Sequence, residues 1–275
     1  MRVIVTGANS GVGKATAAAL AAAGHQVVLA CRSVTKGEAA AGEMSGEVTV
    51  AKLDLADLSS VREFADSVDA VDVLINNAGV LGLPLTRTAD GFEAHIGTNH
   101  LGHFALTCLL ADRIEDRVVT VTSSMYALAR ARIDDLNWER RTYNKWSAYS
   151  ESKLANILFT QELARRGITA HLSDPGVCDS AITAHSSGVF RLVVKYLQPH
   201  VAQPAGVAAR STVSAATEQF SGTTYLAPRG LLHQWGKPTA VKLSKKARDP
   251  EVARQLWELS AELTGCDLPA ARKPG

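Results

Sequence analysis

Cysteine is scarce. The 275 residues hold four, Cys31, Cys108, Cys178 and Cys266, and no two have the spacing of a disulfide framework or of a zinc-ligand pair. Reduced thiols in a cytosol fit that usage, and the expected location is cytoplasmic. Net charge is scarce too: 29 Lys+Arg against 27 Asp+Glu leave +2, too little to indicate nucleic acid as a partner. No apolar run reaches the 18 residues or so that would read as a membrane span; the richest stretch, 15–30, is interrupted by Gly24, His25 and Gln26. No signal peptide is visible, because residues 2–6 already read as a strand. Internal repeats and low-complexity linkers are missing as well. His100 and His103 stand three apart, but no neighbouring carboxylate or cysteine completes a metal site.

What is present is ordinary globular composition, 46% hydrophobic and 20% charged. That is enough for one large α/β domain with a sizeable core, spanning 1–275. The chain opens on a β-branched run, 2–6, then Gly7-Ala8-Asn9-Ser10-Gly11-Val12-Gly13, then an alanine-rich helix over 14–23 ended by Gly24. Strand, glycine turn and helix together lay a phosphate on the N–H groups at a helix N-terminus. The glycine offsets are not those of the commonest dinucleotide fingerprint, G-x-G-x-x-G. A plain tight turn is the alternative, but three glycines serve one turn poorly unless the backbone approaches something closely.

A second strand, 25–30, runs into Cys31-Arg32-Ser33. An NAD site has an acid there for the ribose 2′-hydroxyl. A guanidinium instead grips a 2′-phosphate, so Arg32 favours NADP(H) over NAD(H); a solvated strand-end arginine is the other reading. Strand 47–53 ends in Asp54-Leu55, where a carboxylate can accept a hydrogen bond from an adenine amino group. Strand 71–75 ends in Asn76-Asn77-Ala78-Gly79, at the mouth where open α/β sheets bind ligands. Helices are expected over 34–44, 58–68 and 91–111, the last with Asn99 inside it as a mild fault of helix propensity. The fifth strand, 117–121, ends in Thr122-Ser123-Ser124, and the sixth, 168–172, in Ser173-Asp174-Pro175-Gly176-Val177-Cys178-Asp179-Ser180. A polar, tryptophan-containing insertion fills 127–147.

In 177–200, Val189, Phe190, Val193, Tyr196 and Leu197 recur at helical spacing, either a surface helix or a flap closing over an apolar substrate. A helix at 205–217, a last strand at 223–226 and an amphipathic helix at 250–263 precede a disordered tail from about 268. The βαβα alternation implies a Rossmann-type, doubly wound parallel sheet of about seven strands with helices on both faces.

Helix 148–165 carries Tyr149 and Lys153, four apart and so on one face. Making a phenol a useful acid/base near neutrality takes about 4 kcal/mol. A positive charge roughly 4 Å away, at an effective dielectric near 20, supplies about that much. A lysine one turn along can therefore activate a tyrosine.

These motifs in this order resemble the short-chain dehydrogenase/reductase family, over nearly the whole chain. They are Thr6-Gly7 with Gly11 and Gly13, Asn76 to Gly79, Asn99, Ser123, Tyr149 with Lys153, and Pro175-Gly176 with Ser180 in the place of a usual threonine. Ala30-Cys31-Arg32, Asn99-His100-Leu101-Gly102-His103-Phe104 and Ser152-Lys153-Leu154-Ala155-Asn156 look like the retinol-dehydrogenase-like group. The resemblance implies an NADP(H)-dependent oxidoreductase acting on a hydrophobic carbonyl or alcohol. Tyr149 would be the acid/base, Lys153 its activator and ribose ligand, Ser123 the holder of the substrate oxygen, and Asn99 the keeper of a relay water.

The cofactor would lie along Gly7, Asn9, Ser10, Gly11, Val12 and Gly13, then Arg32, Ser33, Asp54, Leu55, Asn77, Ala78 and Gly79. Tyr149, Lys153, Pro175, Gly176, Val177 and Ser180 complete its site. NADPH in a cell favours reduction. Ser124 competes with Ser123, and the wide gap between Ser123 and Tyr149 is explained by the insertion. Asp174 and Asp179 depart from the group's usual histidine and arginine, which leaves the substrate open. The competing readings are a non-catalytic NADP(H)-binding sensor or scaffold, and an epimerase or dehydratase of the family's extended relatives. Monomer and homodimer both remain open.

Overall fold

The computed structural model describes residues 1–176, 203–230 and 236–269. Val177, Ser180, Cys178, Asp179, the 177–200 flap and the tail from 270 lie outside the described residues. Eight strands form one sheet in the order β3-β2-β1-β4-β5-β6-β7-β8. They are β1 (Arg2–Thr6), β2 (Gln26–Cys31), β3 (Val48–Lys52), β4 (Val71–Asn76), β5 (Ile114–Val121), β6 (Ala170–Ser173), β7 (Tyr225–Pro228) and β8 (Pro238–Ala240). The first seven pair in parallel. The strand beyond the expected seven, β8, pairs antiparallel to β7 through Leu226↔Ala240 and Pro228↔Pro238. It is three residues between prolines and loops, too short to show a period.

Alternation along the strands feeds two cores. Ile4, Leu74 and Val118 face one side, with Phe64, Phe104, Phe159 and Trp257. Val3, Val5, Val73, Ile75 and Val119 face the other, with Ala17, Leu20 and Ala215. Such two-sided burial is what a parallel sheet requires. The covering helices are α1 (Gly11–Ala22), α2 (Val34–Ala41), α3 (Leu58–Asp66), α4 (Ala94–Ile96), α5 (Gly102–Leu110), α6 (Lys145–Arg165), α7 (Ala205–Ala208), α8 (Arg210–Thr217) and α9 (Pro250–Thr264).

Four expected helices differ in the structure: α1 begins at Gly11, three residues before the expected start and inside the glycine turn, the helix expected over 205–217 is α7 and α8, and two more depart as follows. The run read as one helix over 91–111 is α4, a π-helical turn over Gly97–Leu101, then α5. Helix α6 begins three residues earlier than expected, because Asn144 caps it by accepting from Trp146 N at 3.1 Å and Ser147 N at 3.0 Å. The 127–147 insertion is organised around Arg141. Its guanidinium reaches Glu151 twice, at 2.9 and 2.6 Å, and Asp135 at 3.2 Å, and lies 3.6 Å from the Trp138 ring centroid.

Candidate active site

Strand order reverses between β1 and β4, and a crevice opens at the carboxyl ends of the strands at such a switch point. Here it is a cleft of about 310 Å³. The turn after β1 lines it with Gly7, Asn9, Ser10, Gly11, Val12 and Gly13; the end of β2 with Arg32 and Ser33; the end of β3 with Asp54 and Leu55; the end of β4 with Asn77, Ala78 and Gly79. Lys36 also lines it. It stands in the first turn of α2, while Arg32 lies before the Ser33 cap of that helix, so the sequence reading had no helical spacing to link the two.

Backbone approach explains the glycines. Gly7 and Gly11 have φ of 67° and 55°, the left-handed region that glycine enters freely. A Cβ on Gly13 would stand 2.4 Å from Asn77 Nδ2. That amide donates to Thr6 O at 2.7 Å and so ties the turn to the end of β4. Thr6 Oγ1 accepts from both Asn77 N and Ala78 N at 2.9 Å. It also lies 2.8 Å from His103 Nε2. His103 Nδ1 faces Asn99 O at 3.0 Å; a carbonyl only accepts, so Nδ1 carries the proton and the Thr6 hydroxyl donates to Nε2. His103 is thus a buried strut of the β4 turn. Burial pushes its pKa down to about 4 and that of His100 to about 3. His100 Nε2 lies 2.8 Å from Ser260 Oγ.

The π-helical turn aims Asn99 at the same loop. Its Oδ1 accepts from Val80 N at 2.7 Å, and its Nδ2 donates to Val80 O at 3.0 Å and Ser152 Oγ at 2.9 Å. Ser152 Oγ in turn donates to Tyr149 O at 2.7 Å. Val80 escaped the sequence reading, and Ser152 appeared there only within a motif, because their contacts with Asn99 join segments far apart in the chain.

On α6 the ammonium of Lys153 is buried and donates to Val121 O at 3.1 Å. It lies 5.7 Å from the Tyr149 ring centroid and close beneath Gly79, where an added Cβ would be 3.6 Å away. Burial pushes its pKa down to about 8, against the opposing pull of Asp174. Asp174 is itself buried, accepting from Tyr225 Oη at 2.9 Å and Gly176 N at 2.8 Å. Pro175 and Gly176 follow it at the end of β6. Ser123, two residues past β5, caps the next helical turn with its Oγ accepting from Met125 N at 3.3 Å. Ser124 begins the following short helical turn, Ser124–Leu128.

The arrangement joins a glycine-walled cleft, two cations at one end of it and a buried lysine below Gly79 on the helix that carries Tyr149. The short chain dehydrogenase family model matches residues 1–188. The chain is similar to human retinol dehydrogenase 13, 40% identical over 98% of this chain and 86% of that protein. It is also similar to human retinol dehydrogenase 11, 41% identical over 97% and 86%. A solved structure of an uncharacterized protein from Mycobacterium paratuberculosis superposes with a TM-score of 0.84, 45% identical over 98% of this chain and 95% of that one. Match, identities and fold agree: the chain belongs to the short chain dehydrogenase family, oxidoreductases that act on CH–OH or C=O groups with a nicotinamide cofactor.

Proposed function

We propose that this protein is an NADP(H)-dependent oxidoreductase for a bulky hydrophobic aldehyde, ketone or alcohol, with Tyr149 as the acid/base. One observation carries the reading: the buried Lys153 ammonium lies 5.7 Å from the Tyr149 ring, on the helix beside the cleft. The cleft fits the cofactor. Its glycine turn has room for a pyrophosphate at the start of α1, where N–H groups point outward. Arg32 and Lys36 offer two cations for a 2′-phosphate. Among the described lining residues Asp54 is the one acid, and its Oδ1 already accepts from Ala56 N at 3.0 Å.

When bound, the nicotinamide supplies or accepts the hydride. Tyr149 gives the proton to the carbonyl oxygen in reduction and takes it from the alcohol in oxidation. The Lys153 charge lowers the proton affinity of that phenol, and its remaining N–H groups are free to hold the ribose. Ser123 holds the substrate oxygen with its hydroxyl proton. Asn99 spends both amide protons on Val80 and Ser152. A relay water behind Lys153 would therefore have to use the spare lone pairs of the Asn99 oxygens. The hydrophobic substrate class rests on the likeness to proteins named retinol dehydrogenases.

The test is titration of the protein and its Arg32→Ala variant with NADPH and NADH, followed by turnover on hydrophobic carbonyls. We expect NADPH affinity to drop about tenfold in the variant, the worth of one charge-assisted contact, with NADH affinity unchanged. Absent binding of both cofactors to the unmodified protein would overturn the reading.

A further inference from the structure

Outside the cofactor cleft lies a buried cluster that the mechanism above does not use. Glu93 and His95 are both 0% exposed, and Tyr143 joins them from the segment entering α6. Glu93 Oε2 accepts from Ile96 N at 2.9 Å. Its Oε1 is 2.7 Å from His95 Nδ1 and accepts from Tyr143 Oη at 2.9 Å. Leu83 N donates to His95 Nε2 at 3.4 Å. A backbone N–H can only donate, so Nε2 is the bare nitrogen and the Nδ1 proton points at Glu93. Tyr143 Oη also lies 3.1 Å from Leu83 O and 3.2 Å from His95 Nδ1. Its single proton goes to the carboxylate, the stronger acceptor. The charges agree with this wiring. Burial would push Glu93 up, yet the hydrogen bonds from His95 and Ile96 hold it below the usual carboxylate range. Burial and the Glu93 charge push the Tyr143 phenol up.

A carboxylate at zero exposure is a costly way to join three segments, since apolar side chains of similar size do so at no penalty. Its wiring, however, specifies one orientation of the imidazole. That ring meets the ring of Tyr149 edge-on, centroids 6.3 Å apart and planes at 74°. Tyr149 thus has His95 against its ring, the Lys153 ammonium on the same ring, and its carbonyl held by Ser152 and, behind that, Asn99. Tyr143 also sits immediately before the Asn144 cap of α6, so the same network sets where that helix begins.

We propose that Glu93, His95 and Tyr143 form a positioning unit that fixes the ring angle of Tyr149 relative to the substrate oxygen. The three are positioning residues, and the inference rests on Tyr149 being the acid/base.

The experiment compares Tyr143→Phe, His95→Asn and their double variant with the unmodified protein, and uses Tyr149→Phe as reference. kcat is expected to fall about tenfold or more in each single variant, because misplacement of a reacting group by an ångström costs up to about a hundredfold. KM and NADPH affinity should stay within about threefold, and the double variant should lose little more than the worse single one, as members of one unit do. A second readout needs no cofactor. meta-Fluorotyrosine at position 149 should give one sharp fluorine resonance in the otherwise unmodified protein and a shifted or broadened one with Tyr143→Phe. If His95→Asn fails to fold, Tyr143→Phe, which deletes a single hydroxyl, decides the matter. Unchanged kcat and unchanged fluorine resonance, with only a lower melting temperature, would overturn the proposal. If Tyr149→Phe itself keeps full turnover, the acid/base assignment fails instead, whatever the fluorine signal does.

Discussion

Lys153→Met keeps the length and burial of the side chain and removes its charge. An ammonium 5.7 Å from the Tyr149 ring centroid, at an effective dielectric of about 20, favours the phenolate by about 3 kcal/mol. That is somewhat less than the roughly 4 kcal/mol expected for a separation near 4 Å, and it corresponds to about a hundredfold in proton affinity. With Tyr149 as the proposed acid/base, alcohol oxidation needs the phenolate, so at saturating oxidised cofactor the variant should oxidise about a hundredfold more slowly at pH 7. Its rate should then keep climbing with pH beyond the point where the unmodified protein levels off. The native advantage has its own limit. Burial, opposed by Asp174, places the Lys153 pKa at about 8. The ammonium is therefore present at pH 7 and lost as pH rises through about 8, and the two rate curves should converge above that. The assay is kcat for oxidation from pH 6 to 10, at about one-unit steps, with cofactor saturation checked at each pH. A variant rate that parallels the native one at a constant ratio would refute the electrostatic role of Lys153 and leave it a ribose ligand only.

Gly102→Ala should cost about 3 kcal/mol, read as a drop in melting temperature, because its Cβ would lie 2.3 Å from Leu55 O; Gly91→Ala, with nothing within 4 Å but φ of 84°, should cost about 1 kcal/mol. His100 and His103 should set the acid limb of stability. Both are held neutral in the fold, with pKa values of about 3 and about 4, while unfolded histidine titrates near ~6.5. The unfolded chain therefore binds more protons, and stability present above that pH should be lost as pH falls through the window, by about 3 kcal/mol per histidine at pH 4. Denaturant melts of His103→Gln across that range should show a shallower fall, and an unchanged slope would contradict the assignment.

Much of the fold could be read because local signals and global structure agree. β-branched runs closed by glycine, aspartate or asparagine became strands β1, β3 and β4, β2 ran into Arg32, and the helices between them followed from apolar spacing. What escaped depends on contacts distant in sequence. The π-helical turn at Gly97–Leu101 arises where Asn99 bonds Val80, 19 residues away. No composition signal marks it beyond the propensity fault at Asn99 itself. Gly102 was legible as part of a motif, but its reason, the Leu55 carbonyl pressed against it, was not. The Glu93, His95 and Tyr143 cluster unites α4, the loop at Leu83 and the entry to α6, and charged or polar residues in such segments read as solvated until the chain is folded. Lys36 escaped because Arg32 lies before the Ser33 cap of α2, so no helical spacing links the two cations.

The most direct test of the account is single-turnover reduction of a hydrophobic aldehyde by Tyr149→Phe, alongside its affinity for NADPH. The account predicts that reduction falls to below about a hundredth of the native rate while NADPH affinity stays within about threefold. Native-like reduction in that variant would contradict Tyr149 as the acid/base.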